Sequence, residues 1–335
     1  MLFLQKNIKI VFKKSITAGL SFAVLTFGVA AQPVFAQQYP DKPIRLVVAF
    51  APGGPVDTTA RILASQLGDI LKQSVFVENK AGAGGNIGAQ YVANAQPDGY
   101  TILVTSAAYA VNPTLYGASA GYIPDKNFTP IVIATTQPNL ISVNEQVPVK
   151  SIAELKDLAF KENLSYSSPG AGTTPHLTCE NLFRSIWKAK ITHIPYKGAG
   201  PAALAVVGGE TPIGCTAVAG VYQFSRQGKV RILGVSSEKR LANLPDVPTL
   251  AELGYPQIKD YTWTGIFAPA KTPAAIVQKL NLAINQVLAN PEAKEKFDQA
   301  GLLMVGGTQK QTAEYVADEL KRWAQIVKDT GTKLE

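Results

Sequence analysis

Two short stretches combine small residues with hydrogen-bonding ones where an apolar run gives way to an amphipathic one. In the first, Pro52, Gly53 and Gly54 close the run and Asp57 opens the next stretch. Residues without side-chain bulk at a strand's carboxyl end leave backbone N–H groups facing outward, and an anion is their natural guest. The same residues also make an ordinary tight turn, in which glycine supplies an unusual φ. In the second stretch, Ser167 to Thr174 (SSPGAGTT), the arrangement recurs with hydroxyl donors added at a helix start. Two such loops facing one another form a cleft.

His176 and His193 are the only histidines, and Cys179 and Cys215 the only cysteines. A histidine can serve as acid or base, which admits a secreted hydrolase using His176 or His193. Neither lies in a recognisable nucleophile context, and Tyr166 stands where a hydrolase elbow around Ser168 would need glycine. A structural or ligand-contacting role suits both better. Dinucleotide fingerprints also fail: after Gly82, Gly84 and Gly85 the required glycine is Ile87, and Gly198-x-Gly200-x-x-Ala203 has no acidic residue near the expected distance downstream. The cysteines admit three readings, a disulfide in an oxidising compartment, a zinc site shared with the histidines, or two buried thiols. No C-x-x-C or H-x-x-x-H spacing favours zinc.

The compartment follows from charge. Lys6, Lys9, Lys13 and Lys14 precede a stretch from Ser15 to Pro40 without any charge, and Val34-Phe35-Ala36 places small residues for cleavage after Ala36. This is the pattern of a secretory signal over residues 1–36, with an uncleaved anchor helix as the alternative. The chain's +8, from 32 Lys and Arg against 24 Asp and Glu, falls to +4 once those four lysines leave. Nucleic-acid binding thereby loses its compositional support. With 46% hydrophobic residues over 335, the chain can bury cores, and the length suggests two domains.

Strand and helix patterns alternate along the exported part. Strands are expected at Ile44–Phe50, Val75–Glu78 and Thr101–Thr105, separated by helices behind Asp57 and after Gly82–Gly88, which makes half of a doubly wound parallel sheet. The extended run Ile131–Val143, broken by Gln137-Pro138-Asn139, reads as a strand passing between domains. A second set of units follows: a helix capped by Ser151 with Glu154, strands at Leu164–Ser168, Thr192–Tyr196, Ile213–Ala217 and Val230–Ser236, and helices from Thr174, Pro201 and Tyr222. Trp263–Ala268 is a return strand, and helices from Thr272, Pro291 and Thr312 close the chain. In the last, Val316, Leu320, Trp323 and Val327 mark a core face and Glu319, Lys321 and Lys328 the opposite one.

Tyr39-Pro40 with Pro43-Ile44, Pro52-Gly53-Gly54 with Asp57 and Ala60-Arg61, Asn79 with Gly82–Gly88, Pro97–Thr101 (PDGYT), Pro169–Leu177, Pro195–Gly198, Pro245–Thr249 and Trp323 follow in one order. In this the chain resembles the Bug family, the substrate-binding receptors of tripartite tricarboxylate transporters. The resemblance runs from about Tyr39 to the C-terminus. It implies a type II-like periplasmic binding protein of two α/β domains, each a doubly wound sheet, with domain 1 at 37–138 and 264–335 and domain 2 at 139–263. It implies a monomer that closes on a small organic carboxylate, held by backbone amides, hydroxyls and waters, and delivers it to membrane transporter subunits. A sensor module for a two-component system is the alternative in the same fold. No catalysis, cofactor, metal or nucleic acid is expected.

Carried over by position, Gly53, Gly54 and Asp57 fall on the family's first-domain loop, Ser168, Gly170, Ala171, Thr173 and His176 on its second, and Ser106 and Ala107 on the cleft. There is one departure: after Gly208-Gly209, Thr211-Pro212 leads into Ile213-Gly214-Cys215-Thr216, where many relatives read Val-Asp and an apolar strand. Contacts near Thr216 and Ala217 do not transfer. The family takes amino acids, dicarboxylates, citrate and aromatic acids, so the resemblance does not name the ligand.

Overall fold

The computed structural model describes residues 39–332, so the expected signal segment and its cleavage site lie outside the described residues. In chain order the elements are β1 (Ile44–Val48), α1 (Pro55–Leu71), β2 (Val75–Asn79), α2 (Asn86–Ala93), β3 (Thr101–Ser106), α3 (Ala108–Leu115), α4 (Pro124–Asn127), β4 (Phe128–Asn144), α5 (Ile152–Ala159) and β5 (Ser165–Ser168). Then come α6 (Thr174–Glu180), β6 (Thr192–Pro195), α7 (Ala199–Val207), β7 (Ile213–Ala217), α8 (Val218–Arg226), β8 (Val230–Val235), β9 (Tyr261–Pro269), α9 (Ala274–Leu288), α10 (Pro291–Gln299), β10 (Leu303–Met304) and α11 (Gln309–Thr330).

β1, β2 and β3 pair in parallel, as their separation by helices requires, and β9 then joins β3 antiparallel. β4 is shared between two sheets. Through Pro138 it pairs with β9, and from Asn139 onward it pairs with β7 and β8 instead. Proline has no N–H to give a ladder, so Pro138 suits the point where one set of partners ends and another begins. β7, β5 and β6 complete the second sheet in parallel. One apolar core surrounds the first sheet, and two clusters, around Tyr166 and around Val206, pack against the second.

The return strand begins earlier than its apolar residues suggest, because Tyr261, Thr262 and Trp263 already pair with β4 in the first sheet. α7 and α8 also start earlier, at Ala199 and Val218, and α11 begins behind Thr308 in a capping box with Gln311. α3 was not legible, since its sequence AYAVNPTL carries Asn112 and Pro113 inside the helix. Cys179 and Cys215 are bonded, with Cα atoms 6.3 Å apart, tying α6 to β7. That bond consumes both sulfurs and decides among the three readings of the cysteines.

Where the chain crosses between the sheets, a polar cluster joins both crossings. Asn139 donates to Thr178 Oγ1 at 2.9 Å, and Thr178 donates to Asp260 Oδ2 at 3.0 Å. Arg322 from α11 reaches Asp260 Oδ1 at 3.2 Å and Glu319 Oε1 at 3.1 Å. The other oxygen of Glu319 accepts from the indoles of Trp263 and Trp323, each at 2.9 Å. Glu319 is thus buried, contrary to its expected place on the polar face of α11. It lies one turn before Trp323, and three donors satisfy a charge that burial alone would exclude.

Candidate functional site

A helix leaves its first backbone N–H groups without intrahelical partners, and these concentrate the positive end of the helix dipole. Side chains normally cap them, as Ser151, Asn290 and Thr308 do for α5, α10 and α11. At the starts of α1, α3, α6, α7 and α8 the N-cap positions are Gly54, Ala107, Thr173, Gly198 and Ala217, and none makes a side-chain cap. These five starts border one cavity of about 30 Å³. Its wall includes Gly54, Pro55 and Val56 from α1, Ser106 before α3, Thr173 and Pro175 from α6, Ala199 from α7 and Ala217 before α8. Phe50, Pro169 and Thr262 complete it. Ser106 Oγ accepts from Ala108 N at 3.2 Å and Gln137 Oε1 from Ala219 N at 2.7 Å, which occupies one N–H each at the starts of α3 and α8, and among the described residues no charged side chain is on the wall.

The first loop is built from its buried acid. Asp57 Oδ2 accepts from Gly53 N at 3.0 Å and from Arg61 Nε at 2.9 Å, while Oδ1 accepts from Asn79 at 2.8 Å. Burial pushes this carboxyl up, but the hydrogen bonds from Arg61, Asn79 and Gly53 together hold it below its ordinary range. A carboxylate so occupied holds the loop and does not meet an anionic ligand. Gly53, at φ 84°, is positioned through it.

The second loop spends its polar groups in the same way. Thr173 donates its hydroxyl to Gly170 O at 2.7 Å, Gly170 N donates to Ser168 Oγ at 3.2 Å, and Gly172 N donates to His176 Nδ1 at 3.3 Å. The Thr173 hydroxyl proton is therefore engaged within the loop. Burial, with smaller contributions from His193 and Arg184, pushes His176 down to about 3. It is neutral at pH 7, accepts at Nδ1, and stacks on His193 with ring centres 4.1 Å apart. Ser168 Oγ lies 2.6 Å from His193 Nε2, the atoms of a nucleophile and a base. Ser168 is fully buried, and it is absent from the cavity wall.

His176 gives a testable linkage. Its folded value lies below its unfolded one, so between about pH 6.5 and 3 the unfolded chain takes up a proton that the folded one refuses. Stability is thus highest above that window and falls as pH drops through it, by at most about 1.4 kcal/mol per pH unit from this group. Urea unfolding from pH 7 to 4 should show a shallower loss for His176→Asn, which keeps an acceptor near Nδ1 and does not titrate. Equal slopes in the two proteins would refute it.

Of the residues expected at the site, Gly54, Ser106 and Thr173 are on the wall. Gly53, Asp57, Ser168, Gly170 and His176 build the two loops behind it, Ala107 is buried at the start of α3, and Ala171 accepts from Tyr116 Oη at 3.0 Å across the loops. Outside the two expected loops the wall also takes Phe50, Pro175, Ala199, Ala217 and Thr262. Ala199 and Ala217 were within reach of the strand-to-helix rule that found the two loops, whereas Thr262 arrives from a strand with no such signal. Thr174 and Thr216, next to wall residues, hold buried hydroxyls without a hydrogen-bond partner.

Loops of the two sheets meet closely beside the cavity. Ala51 N donates to Lys197 O at 2.8 Å. A Cβ on Gly200 would lie 2.4 Å from Pro52 O, and one on Gly84 2.3 Å from Ala171 O.

A family profile described as tripartite tricarboxylate transporter family receptor matches residues 59–332. The protein BugT of Bordetella pertussis (strain Tohama I) is 37% identical over 324 residues, covering 95% of this chain and 98% of BugT. The solved periplasmic binding protein BugD superposes with a TM-score of 0.85 at 35% identity, over 89% of this chain and all of that one. MatC from Rhodopseudomonas palustris, solved with bound malate, gives a TM-score of 0.82 at 33% identity, over 86% of this chain and 100% of its own.

Proposed function

The chain belongs to the tripartite tricarboxylate transporter family of receptors, and on that premise we propose that it captures a small organic carboxylate in the periplasm and presents it to membrane transporter subunits. The observation that carries this reading is the convergence of five helix starts, those of α1, α6 and α7 with no side-chain cap, on one cavity with no charged side chain on its wall. An anion there takes several backbone N–H bonds and the ends of several helix dipoles, and needs no arginine. The malate in MatC is consistent with that chemistry.

The domains of this reading are the two sheets with their helices. Their junctions are the β4 crossing at 138/139 and the return before Tyr261, and the cluster of Asn139, Thr178, Asp260 and Arg322 sits between them. Opening there would part the Gly53 and Gly200 loops and admit the ligand. The receptor works as a monomer and leaves its ligand chemically unchanged. Ser168 supports this, because it faces a histidine yet is fully buried and off the cavity wall.

A thermal-shift screen of carboxylates tests the reading. A ligand at a hundred times its Kd should add about 2.7 kcal/mol of stability, and the same molecule should be recovered intact after denaturation and extraction. If no carboxylate stabilises the protein, or if the recovered molecule is a reaction product, the reading fails.

A further inference from the structure

Beside the cavity the two halves of the molecule touch through backbone, at Ala51 and Lys197 and at Pro52 and Gly200, and a side chain spans the same gap. Tyr116 follows α3, packs against the core of the first sheet, and donates its Oη to Ala171 O in the second loop at 3.0 Å. It is half-buried and absent from the cavity wall. Burial pushes its phenol up, so it stays protonated as a donor at neutral pH.

Both sides of this hydrogen bond are held by their own half. On the first, Asn112 lies one turn before Tyr116 and donates its Nδ2 to Gly84 O at 3.0 Å and to Asn86 Oδ1 at 2.7 Å, which fixes the end of α3 against the Gly84 turn. On the second, Gly170 O accepts from Thr173 and Gly172 N donates to His176, so Ala171 lies between two anchored neighbours. A Cβ on Gly172 would lie 3.2 Å from Cε2 of Tyr116, and Gly84 and Gly172 both sit at positive φ, 61° and 80°, so bare backbone meets the phenol from either side. A bond between separately anchored parts breaks when the halves separate, and its phenol and carbonyl then return to water.

We propose that Tyr116 is a positioning residue of the receptor, a latch that holds the two loops together and slows ligand release without touching the ligand. This rests on the receptor reading above and adds a residue that acts on the rate of opening. Exchanging two hydrogen bonds to water for one within the protein leaves a net gain of about threefold to tenfold in an equilibrium. Because the pair forms only after the loops meet, that factor falls on dissociation.

Stopped-flow tryptophan emission and titration calorimetry with succinate, malate and adipate on the dialysed protein test it, comparing wild type with Tyr116→Phe and Tyr122→Phe. Tyr122 donates to Tyr109 O at 3.0 Å wholly within the first half, so its variant loses the same chemical group where no gap is spanned. For whichever acid binds, Tyr116→Phe should release it about threefold to tenfold faster with association changed less than about twofold, whereas Tyr122→Phe should lower stability to urea and leave both rates alone. Release as slow as in wild type, tighter binding, a loss carried by association, or equal acceleration in Tyr122→Phe overturns the latch and leaves the receptor reading standing. Failure of all three acids to bind the wild-type protein would instead overturn the receptor reading, and the latch with it.

Discussion

Replacing Gly200 with alanine should lower ligand affinity by roughly tenfold to a hundredfold while leaving the ligand-free protein at least as stable as before. Gly200 lies in the first turn of α7 with helical backbone, so a side chain brings no conformational strain, and alanine is the better helix former there. What the new Cβ meets is Pro52 O at 2.4 Å and the Gly53 backbone at 3.2 Å, groups that cannot rotate away. The α7 start and the Pro52–Gly54 loop must then separate, and the two halves of the proposed cleft no longer meet. Titration with any bound carboxylate, set beside urea unfolding of the ligand-free protein, separates the two effects. Unchanged affinity would mean that the liganded form does not need this approach.

Removing the disulfide should cost more stability than any single side chain on the cavity wall. Cys179 and Cys215 are separated by 36 positions and both fully buried. Opening a loop of that length returns roughly 3 to 4 kcal/mol of chain entropy to the unfolded state. The bond also pins α6, which carries the Thr173 loop, to β7, whose end carries Ala217. The Cys179→Ala, Cys215→Ala double variant should lose that stability in guanidinium unfolding and bind ligand more weakly. A loss under about 1 kcal/mol, or two titratable thiols in unfolded, unreduced wild-type protein, would show that the bond does not hold α6 in solution.

The order of elements was legible because glycine, proline and capping residues punctuate the chain. The crossing of β4 shows in the break at Gln137-Pro138-Asn139, and both strand-to-helix loops of the proposed site show in their small residues. What sequence could not reveal is where polar atoms point. Asp57, Thr173 and His176 fall at the site by position in the family resemblance, and their hydrogen bonds bind them to the loops themselves, with Thr173 still on the cavity wall. Such a choice depends on distances between segments far apart in the chain, as with Asn79 reaching Asp57. Thr262 shows the same limit, since nothing local sets a threonine in β9 apart from the threonines at 135 and 136 in the strand beside it. Glu319 shows it once more, because spacing alone cannot foresee that two indoles will converge on one carboxylate.

That convergence makes the protein its own optical probe. The chain has three tryptophans. Trp187 donates to Tyr255 at 2.9 Å within the second sheet's core, while Trp263 and Trp323 share one oxygen of Glu319 beside the crossing between the sheets. All three are at most 4% exposed, so bulk quenchers reach none of them directly. Emission is therefore weighted toward the junction, where two indoles feel the same carboxylate, and none of the three is on the cavity wall. A change in tryptophan emission during a titration reports movement of that junction, with the ligand itself out of view.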